Sequence, residues 1–155
     1  MKGKRPRQKR QQRQWISHKV EIDGIEFDSA TEAAYYKQLK RDPDVLDIEC
    51  HPKFNILPAY EVECKKCKGA GRILNNRTLN LNKCAQCKGK GSRQKAGSVY
   101  TADFKVTYQD GYTEYIDVKG GPVNEGFPLR KKLFEVLKGV ELIVVEKKNN
   151  QFVRK

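Results

Sequence analysis

Apolar and polar residues alternate in several stretches of this chain and recur at helical spacing in two others. KVEIDGIEF, residues 19 to 27, alternates on either side of Asp23-Gly24, a dipeptide suited to a tight turn, so a short hairpin is expected. In DSATEAAYYKQLKRDP, Ala33, Tyr36 and Leu39 form an apolar stripe with Ser29 placed to cap it and Pro43 to stop it, which predicts a helix. VLDIECHPKFNIL (45 to 57) is strand-like, with Pro52 marking an edge or a bulge. The pattern lapses over 61 to 97 and resumes at Val99 with YTADFKVTYQDGYTEYIDVKG, a hairpin turning at Gln109-Asp110-Gly111. GGPVNEG then reads as a loop. PLRKKLFEVLKG reads as a helix with Pro128 in its first turn and Gly139 just past its end, and VELIVVE as a buried strand. The tail KKNNQFVRK adds an edge strand or frays.

This order of elements predicts an α/β domain with a mixed sheet and helices packed against it. The expected division is a basic disordered arm over 1–16, a core formed by 17–60 and 98–155, and an insert over 61–97. Charge supports the division. Residues 2 to 13 carry seven Lys/Arg and no acid, and 61 to 97 carry ten Lys/Arg against Glu61 and Glu63, whereas the chain as a whole is +13. The core is therefore slightly acidic and wears two cationic attachments, as a polyanion binder would. Basic segments kept only for solubility are the plainer alternative. No apolar run approaches the roughly 18 residues of a membrane span, and the basic, polar start is unlike a secretory signal, so a cytoplasmic protein with no membrane partner is expected.

The hairpin at 100–120 carries the first candidate chemistry. Its loop sets residue 108 opposite 112 and Phe104 opposite Ile116, because a one-residue slip would turn Ile116 and Val118 away from Phe104 and Ala102. Tyr100, Ala102, Phe104, Val106 and Tyr108 then share one face. The same register puts Asp103 opposite Asp117, with Cβ atoms about 5 Å apart. Like charges so placed destabilise a sheet, and a divalent cation such as Mg²⁺ or Mn²⁺ would offset them. Lys119 lies on the same face, where an ammonium can orient a metal-activated water or a phosphate oxygen. A solvated strand face with paired Asp and Lys is the alternative.

TADF (101 to 104) followed by IDVK (116 to 119) resembles the D-(x)n-D-x-K signature of the PD-(D/E)XK nuclease superfamily, and FDSATEAAYYKQL and FPLRKKLFEVLKG resemble the helices flanking its core in small phage nucleases. The resemblance covers roughly 20 to 60 and 98 to 146. It implies a restriction-endonuclease-like mixed sheet and Mg²⁺-dependent hydrolysis of DNA phosphodiesters, with Asp103 and Asp117 as metal ligands and Lys119 as a catalytic partner. Glu32 matches the helical glutamate that completes the metal site there, although Ser29-Ala30-Thr31-Glu32 is also a capping box in which Glu32 bonds back to the Ser29 amide. Thr101-Ala102 stands where the superfamily name has proline. Lys131 could reach a phosphate or belong to a solvated helix face, and His51 lines the site or is merely structural.

Cys64-x2-Cys67 and Cys84-x2-Cys87, sixteen residues apart, have the spacing of a four-thiolate zinc site. CKKCKGAG and CAQCKGKG resemble the repeats of the DnaJ-type cysteine-rich domain, two of which complete one zinc there. Such a site has no open position and should be structural. Cys50 is left over, as a small buried hydrophobe. The insert offers Lys65, Lys66, Lys68, Arg72, Lys88, Lys90 and Arg93 to backbone phosphates.

The expected function is a metal-dependent endonuclease with a zinc-stabilised DNA-binding insert. By analogy with resolvases it would act on branched or Holliday-junction DNA in phage recombination, as a symmetric dimer, in the host cytoplasm if phage-encoded. A non-catalytic zinc-containing nucleic-acid-binding protein, a linear-duplex endonuclease or exonuclease, and a DnaJ-like protein-binding finger are the alternatives.

Overall fold

The computed structural model describes residues 18–155, so the arm expected over 1–16 lies outside the described residues. Strands β1 (Val20–Ile22) and β2 (Ile25–Phe27) form a hairpin turned by Asp23 and Gly24, with φ of 55° and 75°. Two consecutive left-handed residues are what a type I′ turn requires. Helix α1 (Ala30–Leu39) is capped by Ser29, whose side chain accepts the Glu32 amide at 3.2 Å.

Residues 45 to 57 form two strands, not the single interrupted strand expected: β3 (Val45–Cys50) and β4 (Lys53–Leu57) belong to different sheets. His51 turns the chain between them with φ of 55°, a left-handed conformation that costs a non-glycine residue about 1 kcal/mol or more. After β4 come β5 (Tyr60–Glu63), β6 (Arg72–Leu74), β7 (Leu81–Lys83) and β8 (Ser92–Lys95), nested so that β5 pairs β8 and β6 pairs β7.

Strand β9 (Ser98–Thr101) pairs β4, and β10 (Phe104–Tyr108) pairs β3. The resulting ribbon bends at one level on both strands. At the bend the His51 amide donates to the Asp103 carbonyl at 2.9 Å, and the Ala102 amide to the Pro52 carbonyl at 3.1 Å. The five residues expected to share a face are therefore divided. Tyr100 and Ala102 pack on one side of the main sheet, and Phe104 and Val106 on the other.

The main sheet continues through β11 (Thr113–Lys119), crosses over by α2 (Phe127–Lys138), and returns in β12 (Leu142–Lys148) and β13 (Gln151–Arg154), in the order β13-β12-β11-β10-β3. Among the described strands only β11 and β12 pair in parallel; the tail adds its edge strand antiparallel to β12. The architecture is mixed α/β, mostly strands, with two helices among the described residues. Phe27, Tyr35, Tyr36, Leu39, Phe104, Ile116 and Val145 fill the layer beneath α1. Ile56, Tyr100, Ala102, Phe134, Leu142 and Val144 fill the layer beneath α2. No described helix is long and apolar enough to cross a membrane.

Phe134 is fully buried and packs its ring on Phe54, Tyr100 and Tyr115, with centroids 5.0 to 5.5 Å apart. Phe134→Ala should therefore cost about 3–5 kcal/mol in urea unfolding, while Val136→Ser, on the exposed side of the same helix, should cost less than about 0.5.

Candidate functional site

The observed register pairs Phe104 with Ile116 and Lys105 with Tyr115, as the apolar pattern requires. The ladder ends at Phe104 and Ile116, so Asp103, just before β10, lies near Asp117 without pairing with it along the main chain. There the Asp103 amide donates to the Ile116 carbonyl at 3.1 Å, and its carboxylate Oδ2 accepts the Val118 amide at 2.6 Å. The side chain thus replaces the main-chain acceptor that the ribbon bend has carried away to His51.

Asp117 points into the layer beneath α2 and is only 3% exposed. Its Oδ2 accepts the Tyr100 hydroxyl. Its Oδ1 is buried and meets the Lys119 ammonium as an ion pair. The same ammonium lies 4.5 Å from the Phe127 ring centroid. Burial first, then the charges of Asp117 and Glu32, push the Asp103 carboxyl up to about 8, opposed by the Val118 amide and by Lys119. Burial and the Asp117 charge likewise push the Tyr100 phenol up. Tyr100 is a site residue that the alternation pattern assigns only to the core; its polar tip, which a buried tyrosine must satisfy, is the signal that could have found it.

Glu32 reaches this end of β11 from α1, on the opposite face of the sheet. Gly120 allows the approach, since a Cβ there would stand 2.7 Å from the Thr31 hydroxyl. Glu32 and Lys119 both line a cleft of about 490 Å³ with Ser29 and Gly121. The Glu32 carboxylate accepts the Ser29 hydroxyl at 2.8 Å, so the capping contact exists but is made to the hydroxyl and not, as expected, to the amide. Burial pushes its carboxyl up, against that hydrogen bond. His51 lies within electrostatic reach of Glu32, packs edge-on against Phe27, and buries Nε2 without a partner among the described residues. A hollow of about 510 Å³ at the far end of the hairpin, rimmed by Asp42, Asp44 and Asp110, holds none of these groups.

Asp117 and Glu32 therefore both lie within electrostatic reach of Asp103, from opposite faces of the sheet. Among the described residues the group whose ligand atoms all lie within 4.8 Å of one another is Cys64, Cys67, Cys84 and Cys87. All four are buried free thiols, with Sγ atoms 3.8 Å apart for Cys64 and Cys84 and 3.6 Å for Cys67 and Cys87. The Gly71 amide points at Cys67 Sγ (3.2 Å) and the Gly91 amide at Cys87 Sγ (3.3 Å), as N–H groups do around thiolate ligands. The two halves also bond reciprocally, the Cys64 amide to the Gly91 carbonyl and the Cys84 amide to the Gly71 carbonyl, both at 2.8 Å. A Cβ on Gly71 would come within 2.4 Å of the Gly89 carbonyl oxygen, and one on Gly91 within 2.2 Å of that of Gly69. The C-x-x-C-x-G-x-G repeat is thus two interlocked knuckles, and the four buried cysteines can hold a metal ion such as zinc. Cys50 is half-buried against the layer beneath α1, and burial pushes its thiol up to about 11.

Lys65, Lys66, Lys68, Arg72, Lys88, Lys90 and Arg93 are all exposed. Lys131 is a different case. Its ammonium donates to the Leu142 carbonyl and pairs with Glu135 at 3.0 Å. It ties α2 to the start of β12, so its helix face is not simply solvated.

Fold and site define a mixed α/β domain that carries a buried acidic pair beside a lysine and an inserted four-cysteine cluster. The chain belongs to the family described as protein of unknown function DUF1064, which matches residues 12–148. No curated protein and no solved structure matches the chain.

Two outcomes follow from this geometry. The Asp103 carboxyl keeps its proton up to about pH 8 when folded, but only to about 3.8 when unfolded. Between those values the folded chain binds the extra proton, so this group's contribution to stability falls as pH rises from about 4 to 8. Asp103→Asn should flatten that part of the urea-midpoint profile; an unchanged slope would contradict the assignment. Gly71→Ala and Gly91→Ala should each lose bound zinc to a chelator at least about tenfold faster than the wild type, measured by metal-indicator absorbance.

Proposed function

We propose that the protein is a metal-dependent deoxyribonuclease with a restriction-endonuclease-like core, an endonuclease acting on branched DNA of the Holliday-junction type in phage recombination. The succession α1, β3, β10, β11, α2, β12, with the last two strands parallel, supports that core. The observation that carries the function is Asp117, a carboxylate only 3% exposed that pairs with Lys119 and lies beside Asp103. A buried anionic oxygen is costly unless a cation faces it.

Asp103 and Asp117 suit Mg²⁺ or Mn²⁺, since both offer hard oxygen ligands at the end of a rigid strand pair. Bound there, the ion would supply a Lewis acid for a phosphoryl oxygen and a more acidic water. Lys119, on the cleft wall, can hold a phosphate oxygen or orient the attacking water, and Tyr100 fixes the second oxygen of Asp117. Glu32 faces the same cleft and can complete the site by leaving its cap. The four cysteines would hold a structural Zn²⁺, all four positions being taken by sulfur. The exposed cations of the insert would then meet backbone phosphates. The protein would work in the cytoplasm, the host's if phage-encoded, and a symmetric dimer would cut paired strands.

Two observations favour a second reading, a non-catalytic nucleic-acid-binding protein: Asp117 is nearly inaccessible, and the three carboxylates do not close into a tight ligand set. Cleavage assays in Mg²⁺ with four-way junction, linear duplex and single strand separate the two. The wild type should cut the junction fastest, and Asp117→Asn should be slower by about a hundredfold or more. Equal rates for both proteins would reject the catalytic assignment. Preferential cutting of linear duplex would reassign the substrate. No cutting of any substrate by folded, zinc-loaded wild type would favour the binding module.

A further inference from the structure

The hairpin at the far end of the insert combines two properties that rarely occur together. From Cys64 to Gly97 the chain has ten Lys/Arg and no acid. Yet its tip is apolar: Leu74 and Leu81 face each other across β6 and β7 at 50% and 62% exposure, and Leu79 is 75% exposed. Leu79 also holds a φ of 57°, a conformation that asparagine or glycine adopts far more readily.

The turn enforces it. The Leu79 amide donates to the Asn75 carbonyl at 2.8 Å, the Asn75 amide donates to the Asn80 carbonyl at 2.9 Å, and the Asn75 side chain accepts the Arg77 amide at 2.9 Å. A leucine is thus held out in a strained conformation and left mostly exposed among the described residues. Arg72, Arg77 and Lys83 flank it, all exposed.

We infer that this tip is a wedge for nucleic acid, with Leu79 entering between bases at a point where stacking is already weak and the flanking cations seated on the adjacent phosphates. The partner must be polyanionic to suit the insert and must open an apolar slot the width of one side chain. Stacked bases at a branch, nick or mismatch do both, because unstacking is cheapest there. An anionic membrane matches the charge but fits the tip less well. Asn76, Arg77, Thr78 and Asn80, all exposed in the same turn, would lose water in hydrocarbon, whereas base edges and phosphates offer them partners. The inference rests on the reading above only in taking nucleic acid as the partner; it needs no cleavage.

The test is binding without divalent cation, using a zinc-loaded protein and a four-way junction with 2-aminopurine at the branch. A continuous duplex of the same sequence and phosphatidylserine-containing vesicles serve as the other arms. Wild type should raise the 2-aminopurine fluorescence severalfold. Leu79→Asn, which suits the turn, should abolish the rise and bind the junction roughly tenfold more weakly with duplex affinity unchanged, while Leu79→Met should keep both. Arg77→Ala should weaken junction and duplex alike and lower the salt slope by about one. Identical fluorescence and affinity for wild type and Leu79→Asn would overturn the wedge, as would a loss confined to vesicle binding. A Leu79-dependent rise in a protein that cuts nothing would uphold the wedge while removing the nuclease reading. No binding to any nucleic acid would remove both.

Discussion

The bend shared by two paired strands, at His51-Pro52 on one and Ala102-Asp103 on the other, is the constraint on which the rest of the structure depends. Proline has no amide to continue a ladder, and His51 must turn left-handed to redirect the strand. Once the ribbon bends, each strand changes sheet, and the hydrogen bonds across the kink tie the two breaks together. Main-chain groups that would have paired with β11 are diverted, so the Asp103 carboxylate takes the Val118 amide. A carboxylate used as a backbone acceptor is held in place by the fold itself.

That placement brings Asp103 against Asp117, whose own position has a different cause. Strict alternation along β11 sends Ile116 and Val118 beneath α1, and so sends Tyr115, Asp117 and Lys119 toward α2. Asp117 therefore lies against Tyr100 and opposite Val144, a buried setting in which a charged oxygen needs either a proton or a cation. Lys119 supplies the cation within the chain. The raised Asp103 carboxyl shows the remaining tension, since two acids and Glu32 share one low-dielectric corner. The cysteine cluster solves an equivalent problem with sulfur, each half lending its glycine amides and carbonyls to the other.

Much of this was legible in the sequence, and the exceptions have definite reasons. The 104–116 register followed from apolar residues that tolerate one alignment only, and the cysteine cluster from ligand spacing. The turns at Asp23-Gly24 and after Lys138 were announced by their glycines. Alternation says which way a side chain points relative to its neighbours, not when the strand leaves one sheet for another. Tyr100 and Ala102 were therefore joined to the wrong face. Pro52 gave notice of irregularity, but not that Asp103 across the ribbon would break with it. Lys131 was ambiguous because a lysine on a helix looks the same whether it meets solvent or, as here, a strand carbonyl.

The central claim is that Asp103 and Asp117 together form one site for a hard divalent cation. Calorimetric titration of Mn²⁺ into zinc-loaded protein tests it most directly, without DNA and without turnover. The account predicts one site, absent in Asp117→Asn and in Asp103→Asn, with zinc content unchanged in both. Equal Mn²⁺ binding by wild type and Asp117→Asn, or none by the wild type, would contradict it.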